Sequence, residues 1–446
     1  MSVSTFGGLN LAFSGVRVSQ RNLDITSNNI VNADTDGYTR QTTTVSGSYA
    51  KSGLYGDPLA APNGVDLTGY QRIRDALTDR RYYDQAPKKG EAEAEQGYLS
   101  QVELFFNEPS TDGGVNAVIN SFFNGFKEAT DSPTSTGVRE TILNRGGNLA
   151  TIFNDAAAHL DNATAQVADE LTVRLDEIND YTTKITNLSK EIKIAQANGG
   201  FPNDLLDQRD LLLDKLADMA NISVTKHGDG TIDLTVGSFA AITGNVKTDA
   251  VASDLATGVT AGRYKGLLDL QNTIIPGQRA QLDAIAKGII DQVNTQHAAG
   301  FDLNGAAGGA FFSGADAASM SMAIDNPDEL ALSSDGSGGS GANGLAISNL
   351  RDKTGVIGGA SISGAYNRFI TDLGNAVQSA KTQVAVATSL TNAVRDQRDS
   401  VSAVSLDEEM TNLIRFQTSY GASARAVSAM DEMLDKLVNG TGKAGL

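Results

Sequence analysis

Both ends of this chain place apolar residues at every seventh position, and no other feature constrains the fold as much. Near the N-terminus Leu9, Val16, Leu23 and Ile30 recur at this interval, with Ala12, Ser19 and Thr26 between them. Near the C-terminus Leu406, Leu413, Tyr420, Val427 and Leu434 repeat the spacing, and Met410 widens the stripe. A period of seven is the seam of a helix that lies along a second helix. The N-terminal seam is thin, because its second line is small or polar. Gly7, Gly8, Asn28 and Asn29 are also poor helix formers. The C-terminal segment is better specified. Ser405 and Glu408 have capping-box spacing, Asp407, Glu408 and Glu409 suit the positive start of a helix, and Asn439-Gly440 marks a stop.

Between the ends the pattern is mostly helical. Residues 136–198 carry Leu171, Ile178, Ile185 and Ile192 at intervals of seven, and Asn198-Gly199-Gly200-Phe201-Pro202 ends the run. A shorter helix is expected from Asp204 to Met219, and another over 276–298. A long one carries Tyr366, Leu373, Ala380, Ala387, Val394 and Val401. Residues 221–236 alternate apolar and polar around Gly228-Asp229-Gly230, which predicts a β-hairpin with β-type sequence continuing to about 265. Residues 300–360 are rich in glycine, serine and alanine and read as loops with short elements. The fold class is therefore mainly α with a β-containing central domain, elongated, with the termini paired as long coiled-coil-like helices. Three divisions are expected: 1–45 with 402–446 as a terminal helical assembly domain, 46–220 with 276–401 as a rod-like long-helix domain, and 221–275 as a small β-containing domain.

Charge narrows the partners. Lysine and arginine total 35 against 53 aspartates and glutamates, a net charge of −18 over 446 residues. A general nucleic-acid binder needs a basic footprint, and an anionic lipid surface attracts the same sign. No nucleic-acid or membrane partner is therefore expected. There is no cysteine, so no disulfide or thiolate site can form. No basic n-region precedes an apolar stretch at the start, so no cleaved secretory signal is read.

Chemical motifs are weak. Gly336-Ser337-Gly338-Gly339-Ser340-Gly341 matches a phosphate-binding glycine pattern in form. It lacks a buried strand before it and an acidic ribose ligand at the right distance after it, so it reads as a flexible loop. Asp302, Asn304 and Gly305 begin like a calcium loop, but the later ligands and the closing glutamate are missing. The histidines at 159, 227 and 297 stand in no metal or catalytic motif. No catalytic residue, cofactor or metal is assigned, and no enzymatic activity is expected.

Residues 27–41 run Ser-Asn-Asn-Ile-Val-Asn-Ala-Asp-Thr-Asp-Gly-Tyr-Thr-Arg-Gln. This resembles the N-terminal signature of bacterial flagellar rod, hook and hook-associated proteins. Asn28, Asn29, Ile30, Asn32, Thr35, Gly37 and Tyr38 fit the pattern, while Val31 and Asp36 depart from it. The segment 406–437, the block Asn203–Leu213 (NDLLDQRDLLL), and the stretch from Leu282 through Val293-Asn294, His297 and Gly300-Phe301-Asp302 to Asn304-Gly305 point within that family to the hook–filament junction subunits.

The resemblance implies a subunit of a tube whose inner layer consists of paired terminal helices. It implies copies of itself, the hook protein and a second junction protein as partners, and an export chaperone at the C-terminal helix. It also implies an extracellular place in the flagellum, reached by type III export without a cleaved signal. The alternatives are another axial protein or, from a different class, an enzyme or adhesin carried by the centre. Residues 1–40 hold three arginines and three aspartates and are neutral, so their seams can meet copies of themselves without strong repulsion. Burying a large seam residue gives roughly 1.5–3 kcal/mol, and ordering each residue costs about 1–2 kcal/mol. One thin pair barely breaks even, so neighbours are expected to complete it. Both ends are expected to be mobile in the monomer and to become helical on assembly.

Overall fold

The computed structural model describes residues 5–49, 62–106 and 114–440. The rest of the expected terminal and rod-like divisions lies outside these residues. Helix α1 spans Thr5–Val31 and leads into a two-stranded antiparallel ribbon, β1 (Gln41–Tyr49) and β2 (Pro62–Arg72). The expected boundary at 45 falls inside β1. Helices α2 (Ala76–Phe106) and α3 (Val115–Glu128) follow, two elements that the periodicity did not announce. Helix α2 hides because the middle of its buried side is small, Ala86, Gly90, Ala92 and Ala94 between Tyr82-Tyr83 and Leu99, and because Pro87 lies inside it. Small residues let neighbours come close. At Gly90 a β-carbon would collide with the Asp218 carbonyl, and at Gly266 it would meet the Glu91 carbonyl at 2.7 Å.

Helix α4 runs from Thr136 to Ala197, 62 residues. At 1.5 Å per residue it is about 93 Å long and makes the molecule elongated. Its buried line includes Leu149, Phe153, Leu160, Val167, Leu171, Ile178, Ile185 and Ile192, so one face serves as the spine for everything packed along it. Helix α5 (Asn203–Met219) turns back against α4. Strands β3 (Ile222–Lys226), β4 (Ile232–Val236), β5 (Phe239–Thr243) and β6 (Val246–Lys247) form an antiparallel meander in chain order. The hairpin pairs Ile222 with Val236 and Lys226 with Ile232.

The β-type reading to 265 is corrected beyond Lys247. Helices α6 (Ala252–Gly258) and α7 (Arg263–Asp269) occupy that stretch, and α7 packs on α2. Short segments such as Tyr264-Lys265-Gly266-Leu267-Leu268 carry too few turns for period to separate helix from strand. Helix α8 (Ile275–Ala298) is followed by loops containing β7 (Phe312–Ser313), β8 (Ser321–Met322) and α9 (Ala342–Asn349). Helix α10 (Ile362–Ser402) returns along α2, and α11 (Leu406–Asp435) lies on α1.

The core at the far end is aromatic. Phe122 meets Phe123, Phe126, Phe311 and Phe312 with ring centroids 5.0–5.6 Å apart. Two buried polar side chains pin the loops over it. Arg139 donates to the carbonyls of Pro133, Pro327 and Leu330 at 2.7–3.0 Å. His297 uses Nδ1 on the Gly309 carbonyl at 2.8 Å and accepts the Ala331 amide at Nε2 at 2.9 Å. That pairing requires a neutral ring protonated at Nδ1, and burial pushes its pKa down in the same sense. Asp302 Oδ1 accepts the Asn304 and Ala306 amides at 2.9 and 2.7 Å, so the oxygen of the calcium-like triad caps its own turn.

Candidate functional site

The two ends of the chain meet as an antiparallel pair. Gly8 faces Met430, Gly15 faces Ser423, the Ser19 hydroxyl bonds that of Ser419 at 3.2 Å, and Asn29 bonds Glu409 at 3.0 Å. The intervals between these positions are equal on both helices, so one register holds along the pair. The facing residues are small or polar. A β-carbon at Gly15 would stand 2.9 Å from Ser423 Oγ, which shows how closely the backbones approach.

The apolar seam lines flank this contact. Leu9, Val16, Leu23 and Ile30 are half-buried, as are Leu413, Val427 and Leu434. Leu406 and Met410 are each 52% exposed and Tyr420 is 39% exposed. Leu11, Phe13, Val31 and Ile414 are also exposed. Polar side chains take the inner places on α1, where Ser14, Ser19, Thr26 and Asn29 are buried. The outside of the pair thus carries several large apolar side chains among its polar ones, and these are free to be covered.

The asparagine-rich motif closes the base of the pair. Asn29, 1% exposed, uses all four of its hydrogen-bonding positions. Its Nδ2 donates to the Gln41 carbonyl and to Glu409 Oε2, both at 3.0 Å, and its Oδ1 accepts from the Gln41 amide at 3.0 Å and the Tyr38 hydroxyl at 2.8 Å. The Tyr38 hydroxyl also lies 2.9 Å from Asn28 Oδ1. Asn32 Nδ2 bonds back to the Asn28 carbonyl at 3.0 Å, while Ile30 is half-buried beside it. Gly37 has φ +79°, a left-handed turn suited to glycine, and its α-carbon faces Leu211 of α5. Burial and the carboxylates of Asp207, Asp204 and Glu409 push the Tyr38 hydroxyl well above its ordinary pKa, so it stays protonated and donates.

A charged joint ties this base to the body. On α5 the residues Asn203, Asp207, Asp210 and Asp214 share one face at helical spacing. Asn203 donates to Gln41 Oε1 at 2.9 Å. Asp207 accepts the Thr39 amide at 3.2 Å and Arg72 at 2.7 Å. Asp210 receives Arg72 at 2.9 Å, Arg74 at 3.2 Å and Lys226 at 3.4 Å. Its burial would raise the pKa, but these cations together with Arg209 hold it down at about 2. Asp214 pairs with Arg398 near the end of α10 at 2.8 Å, and there burial wins and lifts the carboxyl to about 6. Arg398 also stacks over the Tyr82 ring at 4.4 Å. The apolar spacing marks the Asn203–Leu213 block as a helix and its wording as a family mark, but neither singles out the acids. The block's physical signal was the line of acids on one helical face, opposite Arg72 and Arg74.

One further acidic group sits apart from this joint. Glu91, Glu95 and Asp269 have ligand atoms within 4.8 Å of one another, the one such group among the described residues. The Lys265 ammonium already bonds Asp269 there. Burial and the neighbouring carboxylates lift Glu95 to about 7.

Three family models match in chain order. They are the flagella basal body rod protein over residues 9–39, the helical domain of flagellar hook-associated protein FlgK over 99–254 and 240–312, and the C-terminal part of the basal body rod FlgEFG proteins over 395–440. Over nearly its whole length the chain is similar to the FlgK-type flagellar hook-associated proteins. It is 29% identical to flagellar hook-associated protein 1 of Bacillus subtilis over 505 aligned positions, covering 99% of both chains. It is 23% identical to the Escherichia coli K12 protein of that name, covering 97% of this chain and 99% of the relative. The solved structure of the flagellar hook junction protein FlgK from Burkholderia pseudomallei shares the fold. Its TM-score is 0.65 at 16% identity, over 73% of this chain and all of that one. No described helix is long and apolar enough to cross a membrane.

Proposed function

We propose that this chain is the structural subunit that joins the flagellar hook to the flagellin filament and assembles through its terminal helices. The observation that carries the reading is the pairing of α1 with α11, which leaves Leu11, Phe13, Leu406, Met410 and Ile414 exposed and the rest of the apolar seam only half-buried. Such a surface supports contact with copies of the same chain, with the hook protein below and with a second junction protein above. The seam residues Leu9, Val16, Leu23 and Ile30, with Leu406, Met410, Leu413, Tyr420, Val427 and Leu434, are the side chains we assign to those contacts. An export chaperone would cover the α11 stripe before assembly, and export would proceed without a cleaved signal to an extracellular site. Within the subunit, 1–45 with 402–446 would assemble, 46–220 with 276–401 would act as the rod, and 221–275 would add a small outer lobe.

A purely structural role is supported by how the chain uses its polar groups. Asp207, Asp210, His297 and Asp302 are each committed to internal partners. A deletion strain tests the reading. Flagellin shed into the medium, with hooks that carry no filament, is the expected result. Absent hooks would move the protein to the rod or hook, and normal filaments would overturn an axial role.

A further inference from the structure

Helix α11 buries its residues in the reverse of the usual order. Leu406, Met410 and Ile414 are more than half exposed, whereas Glu409 is 2% exposed and is the one buried residue among those described on this helix. Both of its oxygens are taken. Oε1 accepts from Arg40 Nε at 2.8 Å, and Oε2 accepts from Asn29 Nδ2 at 3.0 Å. Each partner is itself fixed. Asn29 is bonded in both directions to the backbone of Gln41 in β1, and the Arg40 backbone is bonded to the Ser402 carbonyl and the Ile73 amide at 2.9 and 2.8 Å. Glu408 adds a second contact to Arg40 at 2.7 Å. A carboxylate in the first turn also lies at the positive end of its helix.

The remainder of the α1–α11 contact sets Gly8 against Met430, and Gly15 and Ser19 against Ser423 and Ser419, with Leu413, Val427 and Leu434 only half-buried beside them, so its apolar part is incompletely withdrawn from water. The covalent link from α10 to α11 is Ala403-Val404-Ser405, which leaves the direction of α11 open. We propose that Glu409 is the positioning residue that docks α11 onto α1 and sets its direction from the body. The clasp acts on the whole helix through its first turn. Near-complete burial of a carboxylate is then expected here, because a hydrophobic residue in its place would give no bond to the Gln41–Asn29 and Arg40 elements.

The test uses the absence of native cysteine. Gly15→Cys with Ser423→Cys reports α11 on α1, since a β-carbon at Gly15 would lie 3.5 Å from that of Ser423, within disulfide reach. Asn22→Cys with Thr43→Cys reports α1 on β1, where the two native side chains touch. Oxidative crosslinking of the full-length monomer is measured for both pairs. In the parent chain both are expected to form. With Glu409→Leu the first is expected to slow by about tenfold or more while the second is unchanged. Glu409→Gln keeps the shape but turns one of the two accepting oxygens into an NH2 group that faces a donor of Asn29 or Arg40, and it is expected to slow the first pair as well while leaving the second unchanged. Unchanged crosslinking in Glu409→Leu overturns the proposal. So does equal loss of both pairs, which would mean general loosening, or failure of the first pair in the parent chain. A Glu409→Gln chain as fast as the parent overturns the role of the two accepting oxygens. The readout is made on the monomer, so it does not depend on whether the chain joins hook to filament.

Discussion

At the scale of single residues, the joint between body and terminal pair rests on buried charge. Asp210 has a side chain only 1% exposed and answers three cations. Removing one partner of such a group leaves the others buried and unpaired. Asp210→Ala is expected to destabilise the chain by about 3–5 kcal/mol, read as a lower denaturant midpoint. Because the fold holds Asp210 at about 2, below the ordinary 3.8, its contribution is present above about pH 4 and fades as pH falls through 2. Glu95 has the opposite sign. The fold raises it from 4.5 to about 7, so it binds a proton more tightly folded than unfolded, and its contribution is present at pH 4 and lost as pH rises through 7. Glu95→Gln should therefore raise stability at pH 8 by about 1–2 kcal/mol, discounted for its half-exposed position, and change nothing at pH 4. Denaturant midpoints at the two pH values would check this, and equal effects at both would contradict it. Neither acid could be singled out from the sequence, because spacing does not reveal which of 53 carboxylates will be desolvated.

At the scale of elements, what the sequence reveals depends on how each helix is buried. Helices α4, α5, α8, α10 and α11 were legible because a line of large apolar residues repeats at helical period. Helix α2 was not, because Ala86, Gly90 and Ala92 leave no contrast between its faces and Pro87 argues against a helix. Helices α6 and α7 are too short for period to speak. The contact line of the terminal pair was also hidden. The half-buried apolar seam lies beside the line of closest approach, where Gly15, Ser19, Ser419 and Ser423 meet, and size and hydropathy do not single those residues out. Two predictions belong here. Gly90→Ala should cost about 1–3 kcal/mol through overpacking, because its new methyl would press on the Asp218 backbone carbonyl and not on a flexible side chain. A thermal melt would show it. Amide exchange in the monomer should be fast near Gly8 and Met430 and slow toward Asn29 and Glu409, since protection follows the clasp. Uniform protection along both helices would contradict that gradient.

At the scale of the whole molecule, the chain has two centres of stability that share few side chains. The far core of Phe122, Phe126, Phe311 and Phe312 and the spine of α4 draw nothing from α11. The terminal pair draws on the body through Arg40, the elbow at Gly37-Tyr38 and the α5 acids. This division fits the proposed role, in which the body keeps its shape by itself and the ends stay available to neighbours. Loss of 406–446 should therefore separate the two roles. The truncated chain should keep the cooperative unfolding of the body to within about 1 kcal/mol, because no residue of the far core is removed. It should also lose binding to the export chaperone proposed above, because the exposed line of Leu406, Met410, Ile414 and Tyr420 goes with it. Unfolding followed by circular dichroism and chaperone affinity measured on the same preparation test both halves. A collapsed body would mean that α11 is part of the folding core, and retained chaperone affinity would place the recognition surface elsewhere on the chain.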